Sequence, residues 1–89
     1  MNELLDVVAV QVLPNFQLAL EFENGEHRVF DMNPYFQKKP FNQLKDAAIF
    51  YGAHIDYGTV EWPGNIDISP ATLYDRSLPV GAISKADLA

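Results

Sequence analysis

The 89-residue chain is long enough for one domain and too short for two, and a hydrophobic content of 48% can fill one modest core. Twelve acidic against six basic side chains give a formal charge of −6, which argues against a nucleic-acid platform, because that task needs clustered Lys and Arg to neutralise phosphates. The absence of cysteine excludes a disulfide framework and a thiolate zinc site, so stability has to come from packing.

The first strand is predicted over residues 4–13, where Val7, Val8, Val10 and Val12 supply the β-branched side chains that fit a pleated surface. Val8, Val10 and Val12 are expected to share a face, and Leu13-Pro14-Asn15 turns the chain. The clearest local signal follows. Phe16, Leu18, Leu20 and Phe22 alternate with Gln17, Ala19, Glu21 and Glu23, the period of a strand with one buried face. Asn24 and Gly25 are the residues preferred in a two-residue type I′ turn, and residues 26–32 return as a third strand. That turn sets a register in which Leu20 faces Val29 on the core side, Phe22 faces His27 and Ala19 faces Phe30.

Residues 33–40 read as an irregular link, with Tyr35 and Phe36 tucked against the sheet rim. A helix is predicted from Asn42, as N-cap, to Gly52, with Leu44, Ala47, Ala48 and Tyr51 at helical spacing. Two strands over residues 54–57 and 59–62 flank the turn residue Gly58. Ile55 and Tyr57 are expected to share a face, as are Val60 and Trp62, with the polar side chains opposite them. Asp67 reads as a turn residue whose carboxylate accepts backbone hydrogen bonds. Ser69 reads as N-cap and Pro70 as first residue of a short C-terminal helical turn. Residues 1–76 form the expected single domain. Residues 77–89 are expected to be a loosely held tail, with one short helix over 84–88. The fold class implied is α+β: a mostly antiparallel sheet, made of a three-strand meander and a second hairpin, packed against one short helix.

The order of these pieces resembles a bacterial family known as domain of unknown function 2442. The resemblance runs through the Val-rich opening and the Leu18, Leu20, Phe22, Asn24, Gly25 strand and turn. It continues through Phe30-Asp31 and Phe41 with Leu44 and Phe50, and closes with Glu61-Trp62-Pro63-Gly64 and the block 67–74. It implies a small α+β domain without an established reaction. Some relatives carry a following helix-turn-helix domain and a described DNA-binding role. Too few residues follow Tyr74 here for that domain. Other relatives neighbour small toxin-like proteins, which implies a protein partner by association alone.

His54, Asp56 and Glu61 are the candidates for a polar site. Two of them are two residues apart on one predicted strand, and the third lies on its neighbour. A weak metal or proton-transfer cluster is one reading, and a solvated sheet face is the other and the one favoured. With two histidines and no cysteine, a zinc shell would depend on carboxylates, and no metal, phosphate-binding or nucleophile-elbow motif is present. Trp62, Tyr57 and Tyr74 are the candidate interface or pocket aromatics, with the core as the competing location. The expectation is a non-catalytic contact module without cofactor or small-molecule substrate, working as a homodimer or on a protein partner. An accessory DNA-regulatory protein and a small enzyme with a concealed carboxylate site are the alternatives. The opening Met1-Asn2-Glu3-Leu4 has neither basic start nor apolar stretch, and no run approaches a membrane span, so a cytoplasmic location is expected.

Overall fold

A computed structural model describes residues 5–80 of the chain. They form an α+β domain of two antiparallel sheets and short helices. Sheet A has the strand order β1 (Val7–Leu13), β2 (Gln17–Phe22), β3 (His27–Asp31) and β7 (Leu78–Pro79). Sheet B has the order β4 (His54–Asp56), β5 (Thr59–Trp62) and β6 (Ile66–Ile68). The helices are α1 (Ala47–Phe50) and α2 (Pro70–Asp75), and 3-10 turns span Asn33–Tyr35 and Phe41–Lys45. Leu18, Leu20, Phe22 and Phe30 of sheet A, Val60, Trp62 and Ile66 of sheet B, and Leu44, Phe50 and Leu73 between them make one buried core. Each such side chain contributes about 1.5–3 kcal/mol on leaving water.

The alternating row of β2 is buried as its period predicts, but its pairing with β3 is shifted by one residue. Leu18 faces Phe30, Ala19 faces Val29 and Leu20 faces Arg28. The cause is the turn. Only Gly25 adopts positive φ, at 87°, so Asn24 does not supply the second left-handed residue of a type I′ turn. The loop holds three residues instead, closed by Gly25 N–H donating to Phe22 O and Phe22 N–H donating to Glu26 O, each at 2.9 Å. Asn24 Oδ1 accepts from Glu26 N at 3.0 Å, an Asx turn that fixes the longer loop. The shift moves Phe30, the larger side chain, onto the core face in place of Val29.

A second displacement lies in β1. Val7 faces Phe22 and Ala9 faces Glu21, leaving Val8 as an extra residue. Val7 is buried and Val8 half exposed, so Val8 leaves the face of Val10 and Val12.

The predicted helix from Asn42 is broken. Asp46 has extended backbone and caps α1 by accepting from Ala48 N at 3.0 Å. Asn42 sits inside the preceding 3-10 turn and caps nothing. Ala47, Ala48 and Tyr51 are exposed, and the inward side chains are Leu44 and Phe50.

The type I′ pattern appears in sheet B. Asp56 pairs with Thr59, so Tyr57 (φ 50°) and Gly58 (φ 75°) form the two-residue loop. Tyr57 therefore does not share a strand face with Ile55. The hairpin gains a third strand, β6, at 66–68, where a turn leading into the helix is predicted. Ser69 and Pro70 act as predicted, Ser69 Oγ accepting from Thr72 N at 3.1 Å with Pro70 opening α2. The ordered chain passes Arg76, since Ser77 is buried and β7 pairs with β3 through Val29–Leu78 and Arg28–Pro79. Residues 81–89, including the predicted 84–88 helix, lie outside the described residues.

Candidate functional site

The polar candidates meet on the outer face of sheet B. His54 faces Glu61 across β4 and β5, Glu61 faces Asp67 across β5 and β6, and Asp56 projects to the same side as His54. The inner face carries Ile55, Val60, Trp62, Ile66 and Ile68. That division follows from strict alternation within each strand. His54 is tied at both ring nitrogens: Nδ1 to the Gly52 carbonyl at 2.9 Å and Nε2 to Glu61 Oε1 at 3.4 Å. The carbonyl first, and Glu61 second, raise its pKa above the ordinary imidazole value. His54 and Asp67 are exposed, and Glu61 is only half covered. Among the described residues no group of three or more His, Asp or Glu side chains has the arrangement to hold a metal ion. Asp67 makes no side-chain hydrogen bond among the described residues, so its predicted turn role is not found; it sits mid-strand on β6, where no turn needs an acceptor.

The aromatic candidates part company. Trp62 is a core residue, 1% exposed, stacked on Phe50 and donating from Nε1 to the Phe50 carbonyl at 3.1 Å. It cannot act as an interface anchor in this fold. Tyr57 is 96% exposed at the tip of the β4–β5 loop. Tyr74 is half-buried on α2, its ring edge against Phe22 at 5.2 Å and its Oη donating to Glu26 Oε1 at 2.6 Å.

Two features lie outside the residues singled out from sequence. Arg28 lies opposite Leu20, on the core side of sheet A, yet it is charged. Its Nε donates to Ser77 Oγ at 2.6 Å, Nη2 to the Ser77 carbonyl at 2.9 Å and Nη1 to Glu26 at 2.9 Å. This cluster is a clasp that joins β3 to the end of α2 and the start of β7.

The other feature is the β1 edge of sheet A, which has no ladder partner among the described residues although its start meets the β4–β5 hairpin. β1 is the edge strand, and its outer side makes one backbone bond among the described residues, Val7 N–H to Gly58 O at 2.8 Å. Beyond it the strand runs Ala9-Val10-Gln11-Val12-Leu13 without a charge, although the chain carries −6. Val10 and Val12 are partly buried and pack against the core. Natural edges are blunted by charge, proline or a bulge. Here the bulge at Val8 and Pro14 bracket the free stretch without blunting it. A shallow groove of about 300 Å³ adjoins it, lined by Ala9, Gln11, Ala19, Glu21, His27 and Val80 among others. The signal was present in the sequence, as no charged residue occurs between Asp6 and Glu21.

Among the described residues no helix is long and apolar enough to cross a membrane. The family described as "Protein of unknown function (DUF2442)" matches the chain over residues 7–79. No curated protein and no solved structure matches it.

Proposed function

We propose that this chain, which belongs to the DUF2442 family, is a non-catalytic protein-contact module that works through the uncharged edge of sheet A. The observation that carries the reading is the free β1 edge at Ala9–Leu13. Unpaired ladder groups on an uncharged edge strand favour strand addition, in which backbone hydrogen bonds give affinity and alternate side chains give specificity. The contact reading is preferred to a catalytic one because the polar row on sheet B is spread across three strands, with His54 and Asp67 exposed. A cysteine-free chain also suits the reducing cytoplasm of a bacterium.

The test is capture on immobilised full-length chain, comparing wild type with the Ala9→Lys/Gln11→Lys double variant. Both positions are exposed, so the variant keeps the monomer fold. Retention of a protein by the wild type and its loss in the variant are expected. Retention indifferent to the variant, or none at all, contradicts the reading.

A further inference from the structure

The free edge also indicates its occupant, an inference that rests on the contact reading above. We infer that a second copy of this chain pairs its β1 antiparallel with the first, about a two-fold axis through Gln11.

The window is narrow. The bulge at Val8 and the Val7–Gly58 bond close it at one end, and Pro14, which lacks a ladder donor, closes it at the other. Ala9–Leu13 remain, and Gln11 is their midpoint. With the axis there, Val10 faces Val12 of the other copy on the core side, Ala9 faces Leu13 on the outer side, and Gln11 faces Gln11. The partly buried valines meet one another, the smallest side chain meets the largest, and the one polar side chain meets its equal. An axis on Val12 sets Pro14 against Val10, and an axis on Val10 sets Leu13 against Val7, whose N–H is already bonded to Gly58. An axis between two residues sets a core-side valine against an outer-face side chain and mixes the faces.

Charge on the strand itself does not oppose the same occupant. A partner recruited by the net negative charge finds no charge on this strand, whereas a second copy meets no like charge there. The pairing is isologous, so it closes as a dimer and joins two four-stranded sheets into one.

The wild-type chain is therefore expected to sediment as a concentration-dependent dimer. Gln11→Glu and Gln11→Lys each place like charges face to face and should weaken it on the order of tenfold, and mixing the two variants should restore it. Because the chain has no cysteine, Gln11→Cys gives a second readout. Opposed Cα atoms at roughly 4.5–5.5 Å fall within disulfide range, so mild oxidation should link two copies, while Asp75→Cys on α2 should not. A wild type that stays monomeric, or charged variants that dimerise as well alone as mixed, overturns the inference. A monomeric wild type that still captures another protein through Ala9 and Gln11 removes the second copy and keeps the contact reading; one that captures nothing removes both.

Discussion

The Arg28 guanidinium lies 4.3 Å from the centre of the Tyr74 ring, and the two side chains share Glu26 as their anionic partner. Arg28 thereby places a charge on the core side of sheet A without leaving it unpaired. Two bonds from Arg28 hold Ser77, just before β7, onto β3, Tyr74 of α2 reaches Glu26 just before β3, and Ser77 Oγ donates to the Tyr74 carbonyl.

Arg28→Ala should be among the costly substitutions in the chain. It breaks two bonds to Ser77 and one to Glu26, and hydrogen bonds to charged groups contribute about 1.5–3 kcal/mol each, with losses not additive. A loss of about 2–4 kcal/mol in urea unfolding is expected. Arg28→Lys should recover only part of it, because an ammonium cannot form the fork to Ser77. A change under about 0.5 kcal/mol would contradict the clasp.

The two turn glycines should respond unequally to alanine. A Cβ at Gly58 would stand 2.5 Å from Asp6 Cγ in addition to needing positive φ, whereas Gly25 has open space and only the φ cost. Gly25→Ala is expected to cost about 1 kcal/mol, and Gly58→Ala clearly more. Thermal unfolding of both variants checks the order.

Caps should separate in the same way. Asp46→Ala is expected to cost about 0.5–2 kcal/mol, as for a lost N-cap, and Asn42→Ala less than about 0.5 kcal/mol. The reverse order would restore the unbroken helix over 42–51.

The pH dependence has two signs. His54 has a raised folded pKa, mainly from the Gly52 carbonyl and then from Glu61. Its stabilisation is full below the unfolded value of about 6.5 and is lost as pH rises through the folded value. Glu26 has a lowered pKa, first from the Tyr74 hydroxyl, then from Asn24 and Arg28. Its stabilisation is present above the ordinary glutamate range and is lost as pH falls through the folded value. Both side chains are solvent-accessible, so both effects are small. In an NMR titration the His54 ring should titrate above a histidine in an unstructured peptide. Glu61→Gln should lower that midpoint only in part, since the carbonyl remains.

Much of the fold is legible where one residue acts locally. The Leu18, Leu20, Phe22 row and the Ser69-Pro70 start of α2 follow from period and capping chemistry and stand where predicted. What fails depends on partners distant in sequence. Asn24-Gly25 is a good type I′ pair in isolation. The three-residue loop it forms instead fits the register that buries Phe30 and lets Arg28 reach Ser77, 49 residues on. Tyr57-Gly58 takes the type I′ turn although tyrosine is a poor left-handed residue, because Asp56–Thr59 pairing leaves only two residues to close the hairpin. The polar cluster of His54, Asp56 and Glu61 is correctly placed on one face, but alternation also brings Asp67 there, which local turn chemistry misassigns. Trp62 and Tyr57 show that aromatic content alone does not tell core from surface.

Hydrogen exchange at the β1 amides, read across a series of protein concentrations, tests the sheet-edge contact most directly. Protection at Val10 and Val12 should rise with concentration while that at Val60, in the interior of sheet B, stays constant. Exchange at Val10 and Val12 that is fast and independent of concentration would contradict the self-paired edge on which the account rests.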